Sequence, residues 1–131
     1  MYEILIPVDD DDDRARQQVE AVLEMPLDHD EIHVVLLHVF TENDEGASVG
    51  QLEAIRAAED RLDEAGVEAE LAESSGSPAE EIVALADERD SDMLVLAGRR
   101  RSPTGKAVFG STTQRVIIDT DRTVVVRSVE E

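Results

Sequence analysis

Aliphatic runs alternate along this chain with segments in which apolar residues recur at helical spacing. Runs of the strand type lie at 2–8, 31–40, 67–73, 92–98 and 122–129. Helical spacing links Ala15, Val19, Val22 and Leu23; Leu52, Ile55, Leu62 and Ala65; Ala79, Ile82, Val83 and Ala86; and it returns at Val116 and Ile117. This alternation predicts an α/β fold, in which helices cover both faces of a parallel sheet and right-handed crossovers join its strands.

Local signals mark the ends of several predicted helices. Ser48 and Gln51 have capping-box spacing before the second helix, and Gly66 stands where a C′ glycine would follow it. Ser77 and Pro78 have the residue types of the N-cap and N1 positions of the third helix.

Five parallel strands fit either of two doubly wound orders, 2-1-3-4-5 or 3-2-1-4-5. Ligands bind such sheets at the carboxyl ends of the strands, where the strand order reverses. In the order 3-2-1-4-5 that point lies between the first and fourth strands. The loop that begins at Asp9 and the loop that follows Gly98 would then converge, although they are far apart in the sequence.

The composition indicates one domain over residues 1–131. The chain is 41% hydrophobic and 2% aromatic, which fits a core of small aliphatic side chains. It has no cysteine, and therefore no disulfide framework, thiol nucleophile or thiolate metal site. No stretch approaches the roughly 18 apolar residues of a membrane span, and the N-terminus lacks a secretion-signal pattern. We therefore expect a cytoplasmic protein.

The chain is strongly acidic. It has 12 Lys+Arg against 32 Asp+Glu, a formal net charge of −20, and Lys106 is its only lysine. Such a charge implies self-repulsion that molar salt would screen, and the composition resembles that of halophilic archaeal proteins. The same field repels nucleic acids and anionic membranes, so we expect neither as a partner.

Positive charge is concentrated in the segment 98–113, GRRRSPTGKAVFGSTT, which holds four of the 12 cations. Its sequence GST at 110–112 opens a predicted helix, whose first N–H groups have no helical partners and suit an anion. Gly98 would allow a tight turn off the fourth strand, and Gly110 would let a phosphate approach closely. The arginines would supply charge-assisted hydrogen bonds. In the alternative interpretation, Ser111 only caps the helix and the arginines only neutralise neighbouring acids.

Other motifs are excluded or stay ambiguous. A P-loop would need glycine and Ser or Thr where Arg100 and Ala107 stand. In the acidic run 9–13, Asp9 suits a ribose or adenine edge, whereas the rest fits solvated surface. A Mg²⁺-binding receiver domain is rejected because the fifth strand has Arg127 and no lysine. The three histidines are interpreted as structural, and no catalytic base is paired with a nucleophile.

Four stretches together resemble the universal stress proteins of the UspA type. They are ILIPVDDD at 4–11, VVLLHVF at 34–40, GSPAEEI at 76–82 and the segment 98–113, in the family's order and spacing. The resemblance covers essentially the whole chain. It implies the strand order 3-2-1-4-5, a homodimer and, in one branch of the family, an ATP site.

The resemblance also implies where that site would lie. Pro7, Val8 and Asp9 would follow the first strand, with Val39 against the adenine. The glycines and hydroxyls of the later segment would hold the ribose and phosphates. The predicted nucleotide-binding residues are Pro7, Val8, Asp9, Val39, Gly98, Arg99, Arg101, Gly110, Ser111 and Thr112.

The family's ATP motif, G-x2-G-x9-G-[ST], is incomplete here. Counted from Gly98, Arg101 occupies the second glycine position and Gly110 arrives one residue early. Aligned through Gly110 instead, Arg100 takes that second position. Two interpretations follow: either an arginine contacts phosphate where backbone N–H groups otherwise would, or nucleotide binding has been lost.

Two functions follow from these observations. The first is a dimeric stress-response module that binds ATP or AMP, with or without Mg²⁺. It is not an enzyme, and any ATP hydrolysis would be weak. The second is a nucleotide-free interaction protein of the same fold. Both expect a homodimer through the C-terminal strand, Thr123 to Val129, because TVVVRSV is a β-prone run at a sheet edge. An α-hydrolase type of enzyme is disfavoured, since its pyrophosphate loop is absent after the first strand.

Overall fold

The computed structural model describes residues 1–41, 49–100 and 107–130. The strands are β1 (Tyr2–Pro7), β2 (Ile32–Phe40), β3 (Glu68–Ser75), β4 (Met93–Arg100), β5 (Ala107–Val108) and β6 (Thr123–Glu130). The α-helices are α1 (Asp12–Leu23), α2 (Glu53–Glu64), α3 (Pro78–Arg89) and α4 (Ser111–Asp119). Short 3₁₀ turns precede β2 at His29–Glu31 and α2 at Val49–Gln51.

The long strands form a parallel sheet in the order β3-β2-β1-β4-β6. Counted over the five predicted strands this is 3-2-1-4-5, so the order implied by the resemblance is confirmed. The sequence did not predict β5, which pairs antiparallel with the end of β4. Because β6 pairs with the whole of β4 on one edge, β5 must lie on the other edge, above the end of β1.

Two helices cover each face of the sheet, and the strands alternate their side chains between the two layers. On one face, Ile4, Ile6, Val34 and Leu36 pack with Val19 and Val22 of α1 and with Ile55 and Leu62 of α2. On the other, Leu5, Val35, Leu37, Leu94 and Leu96 pack with Ala79, Ile82 and Ala86 of α3 and with Val116 of α4. The central strands are buried on both sides, as their uninterrupted aliphatic runs predict.

The predicted helix ends are partly confirmed. Gly66 follows α2 with φ of 75°, the left-handed conformation expected at C′. Ser77 is the N-cap of α3 and Pro78 its first residue, although the Ser77 side chain makes no capping bond. The predicted start of the second helix is wrong, because α2 begins at Glu53 after the apolar N-cap Leu52. Ser48 lies outside the described residues.

The two edges of the sheet differ. In β3, exposed residues mostly alternate with half-buried ones, as is typical of an edge strand with one solvated face. In β6, the residues from Val124 to Ser128 are all half-buried.

None of the helices in the described ranges is long and apolar enough to cross a membrane.

Candidate functional site

A cavity of about 780 Å³ opens at the carboxyl ends of the central strands. It exists because β1 and β4 pair only at Ile4–Leu5 with Met93–Leu94 and then separate. Most of its wall comes from residues 7–10, 37–41 and 110–113, and Leu52, Pro78 and Ile82 add apolar surface. Its size and mixed lining are those of a small-molecule pocket at a topological switch point.

The sequence-predicted site residues divide into three groups. Pro7, Val8, Asp9, Val39, Gly110, Ser111 and Thr112 all line this one cavity. Gly98 does not line it, and of Arg99 the structure describes only the backbone, within β4. Arg101 lies outside the described residues.

The N-terminus of α4 faces the cavity without a side-chain cap. Gly110 is the N-cap, with φ of −65° and ψ of 165°, and no side chain of the described chain caps the helix. Ser111 is therefore the first helical residue, and the alternative in which Ser111 caps the helix is wrong. Thr113 is anchored, because its hydroxyl donates to Ala97 O at 3.1 Å. Gly110, Ser111 and Thr112 remain exposed on the cavity wall.

Gly110 has space where its side chain would be. A Cβ built there meets no atom of the described chain within 4 Å, and its φ is one that any residue adopts. Packing of the described residues therefore gives no reason for a glycine at the N-cap, a position that Ser or Asp would fill with a stabilising bond. A ligand that approaches the helix end closely is a reason for one.

Gly98 has a different role from the one expected. β4 continues through Gly98 to Arg100, so the expectation that Gly98 allows a turn off the strand is wrong. A Cβ there would lie 3.1 Å from two ring carbons of Phe109 and 3.2 Å from Val126 Cγ1. Because Gly98 has no side chain, the Phe109 ring can pack over β4, just before the helix α4 begins.

The acidic residue after β1 is already engaged in the protein. Asp9 Oδ1 accepts from the Asp11 N–H, and Asp9 Oδ2 accepts from Arg14 Nε, both at 2.9 Å. The Asp9 carboxylate is half exposed, whereas the Arg14 side chain is only 12% exposed. Asp9 therefore enters the cavity as part of an ion pair.

Within the described residues, no group of three or more His, Asp or Glu side chains is placed to hold a metal ion.

His38, interpreted from the sequence as structural, lies on the cavity wall. Its Nδ1 is 2.7 Å from Val8 O, and its ring meets Phe40 edge-on with centroids 4.7 Å apart. A carbonyl only accepts hydrogen bonds, so Nδ1 carries the proton and donates.

This contact ends the hydrogen-bond ladder between β1 and β2. The last ladder bond runs from Val8 N–H to Leu37 O at 2.7 Å, and the next would join Val39 N–H to Val8 O. His38 takes that oxygen instead. Residues two apart on a strand direct their peptide groups to the same side, so Val39 directs its N–H and C=O past the end of β1. Val39 is one of the residues that line the cavity.

Gln18 was not predicted as a site residue, because helical spacing in α1 marks only its apolar positions. Its side chain is 3% exposed, and its Nε2 donates to Pro7 O at 2.7 Å and to Val95 O at 3.0 Å. The amide thus bridges β1 and β4 where the two strands have separated. A polar residue within the apolar face of α1 was the only available sequence signal.

Comparison with known proteins identifies the family. The model of the universal stress protein family matches residues 1–127. The chain belongs to the universal stress protein family. A universal stress protein of Mycolicibacterium smegmatis is 34% identical over 68 residues, which are 51% of this chain and 52% of that relative. The match thus spans about half the length of the curated relative.

Solved structures share the fold over nearly the whole chain. A universal stress protein from Archaeoglobus fulgidus is 28% identical, with a TM-score of 0.73 over 97% of this chain and 98% of that one. An A. fulgidus universal stress protein in complex with dAMP is 23% identical, with a TM-score of 0.69 and coverage of 97% and 98%. An Arabidopsis thaliana family member with AMP bound is 17% identical, with a TM-score of 0.73 and coverage of 98% and 92%.

Proposed function

We propose that this universal stress protein binds an adenine nucleotide, ATP or AMP, in the switch-point cavity and acts as a dimeric stress-response module without catalysis of its own. The observation that carries the proposal is the uncapped N-terminus of α4, which opens into a cavity at the ends of β1, β2 and β4. The complexes of two relatives with dAMP and AMP support the choice of an adenine nucleotide.

The phosphates would lie at Gly110, Ser111 and Thr112. The N–H groups of the first helical turn point along the positive end of the helix dipole and favour an anion. The hydroxyls of Ser111 and Thr112 add donors, and Gly110 leaves room for close approach. Cations of the segment 99–106 would add charge-assisted hydrogen bonds to this binding.

The adenine would lie against Val8, Val39 and Leu52. These side chains give the cavity apolar surface beside the end of β2. The Val39 N–H and C=O that pass the end of β1 match the N1 acceptor and the 6-amino donor of adenine. Guanine offers the opposite donor and acceptor at these two positions, so this pairing would favour adenine over guanine.

The test begins with the protein purified in about 2 M KCl, where screening keeps the acidic chain folded. After denaturation, released nucleotide is identified by mass spectrometry, and the emptied protein is titrated calorimetrically with AMP and with ATP, each with and without Mg²⁺. We expect saturable 1:1 binding. A wild-type protein that yields no nucleotide and binds none in titration would disprove the proposal.

A pair of N-cap variants locates the phosphate. In Gly110→Asp the new carboxylate caps α4 and also repels phosphate, so binding should weaken by about 100-fold while thermal stability is kept. Gly110→Asn caps in the same way without charge, and it separates repulsion from loss of space. Unchanged affinity in Gly110→Asp would place the phosphates elsewhere.

A nucleotide-free interaction module is the second candidate, and the incomplete glycine motif, in which Arg100 or Arg101 replaces a glycine, favours it. The open edge of β6 would supply its interaction surface. β6 pairs with β4 on one side, and the described chain provides no strand for its other side. An open edge strand of eight residues is normally covered or paired. In a twofold-symmetric dimer, β6 of a second copy would pair with β6 of the first. Dimerisation through Thr123–Val129 fits both candidates, so only the nucleotide titration distinguishes them.

A further inference from the structure

The carboxamide of Gln18 has a fixed orientation. Its Nε2 lies within hydrogen-bond distance of two carbonyl oxygens, Pro7 O and Val95 O. Only an NH₂ group can satisfy both, since an amide oxygen at that place would face two other acceptors. Both N–H bonds are thereby used within the protein, and Oε1 must point away from the two strands.

Oε1 of Gln18 is an acceptor that the described part of the chain leaves without a partner. Gln18 is 97% buried, yet this oxygen is not sealed in the protein, because the one fully buried unpartnered side-chain atom of the described residues is Arg89 Nε. Gln18 lines the switch-point cavity, so the cavity is where Oε1 is accessible. A nearly buried acceptor directed into a cavity calls for a donor from the occupant.

The position of Gln18 indicates which donor this is. It bridges β1 and β4, whereas Val39 lies on the β2 side of β1 and Gly110 follows β4. A nucleotide with its base at Val39 and its phosphate at Gly110 therefore passes its sugar over Gln18.

We propose that Gln18 Oε1 accepts a hydrogen bond from one ribose hydroxyl of the nucleotide and makes the site discriminate against analogues that lack this hydroxyl. This inference rests on the proposed nucleotide site and adds to it a determinant of sugar specificity. The selectivity arises because an analogue without the hydroxyl leaves Gln18 Oε1 desolvated and without a hydrogen-bond donor. Sites that contain such a buried polar partner reject analogues that cannot pair with it. One neutral hydrogen bond of this kind is expected to give about 10-fold discrimination.

The experiment measures a ratio of affinities within each protein. Wild-type protein is titrated with AMP, 2′-deoxy-AMP and 3′-deoxy-AMP in about 2 M KCl. AMP should bind about 10-fold more tightly than one of the two deoxy analogues, and the weaker analogue identifies the hydroxyl. Equal affinity for all three overturns the inference while leaving the nucleotide site intact. Failure of AMP itself to bind overturns both.

Two matched variants assign the effect to Gln18. Gln18→Met keeps the length and volume of the side chain but removes Oε1, so the ratio between AMP and the deoxy analogue should fall to about one. Gln17→Met makes the same change one residue away, where the side chain accepts from Arg127 Nε outside the cavity, and should keep the wild-type ratio. A preserved ratio in Gln18→Met overturns the inference.

Gln18→Met also loses the bonds to Pro7 O and Val95 O, and the fold must therefore be checked by its thermal transition. If this variant does not fold, the side-chain amide resonance of Gln18 in the wild-type protein gives the second readout. It should shift with AMP and shift less with the weaker deoxy analogue. Equal shifts with both ligands count against the inference.

Discussion

Gly98 and Phe109 are fitted to each other: a Cβ on Gly98 would stand 3.1 Å from both Cδ1 and Cε1 of the Phe109 ring. The ring is 37% exposed and lies over β4, immediately before the N-cap of α4. A glycine that the resemblance assigned to nucleotide contact thus has a packing role. Through Phe109 it also helps to place the helix end that faces the cavity.

Gly98→Ala should therefore destabilise the protein. The methyl group would overpack against Phe109 and Val126, at a cost of about 1–3 kcal/mol in the free energy of unfolding, measured by urea titration. Gly110→Ser is the matched control: its side chain meets open space and can cap α4, so stability should be kept or rise slightly. The loss of unfolding free energy caused by Gly98→Ala should be smaller when Phe109 is also replaced by alanine. An unchanged free energy in the single variant would refute the fit.

Arg89 should make stability fall as the pH is lowered. Its Nη1 is 2.8 Å from Glu70 Oε2, and this hydrogen-bonded guanidinium lowers the pKa of Glu70, with a smaller contribution from His33. A carboxylate with a lowered folded pKa stabilises the protein fully above its unfolded pKa, about 4.3. That contribution is lost as the pH falls through the lower folded value.

The measurement is the difference in unfolding free energy between wild type and Arg89→Met from pH 7 to pH 3. At high salt, which screens the overall charge, the difference should be constant near neutrality and shrink below about pH 4.3. Arg16→Met is the control, since Arg16 pairs only at 3.5 Å with the exposed Asp13 in the described chain. A difference that does not vary with pH would mean that Arg89 contributes only packing.

The protein should form a dimer through the open edge of β6. Val124 lies on this strand, half-buried, and Val124→Lys would introduce a charge at the predicted interface. Sedimentation equilibrium at about 2 M KCl should show a wild-type dimer and a dissociation constant raised about 10-fold or more by the variant. Ile118→Lys makes a comparable change on α4, where Ile118 is 74% exposed, and should leave the dimer intact. A monomeric wild type, or a dimer insensitive to Val124→Lys, would reject this interface.

The net charge of −20 should make thermal stability depend on salt. Raising KCl from about 0.1 M to 2 M shortens the Debye length to a few ångströms and screens repulsion among the carboxylates. The melting temperature should therefore rise, steeply at first and then more slowly. A flat or falling profile would contradict a chain adapted to high salt.

Much of the site was accessible from the sequence because short-range patterns specify the elements that carry it. Pro7, Asp9 and Val39 follow aliphatic runs at strand ends, and Gly110 precedes a helix. Parallel strands place their carboxyl ends at one edge, so the residues that follow them converge. Gln18 was not predicted, and His38 was interpreted only as structural, because their contacts with Val95 O and Val8 O cannot be inferred from sequence spacing.

Local periodicity and burial are encoded in the chain, and they specify the alternation of strands and helices, the central position of the aliphatic strands and the residues at the carboxyl edge. By contrast, the pairing of β5 with β4, the fit of Gly98 to Phe109 and the bridge that Gln18 makes between β1 and β4 are seen only in the folded domain. Each of these depends on distances between segments far apart in the chain. Such distances are set by packing of the whole domain.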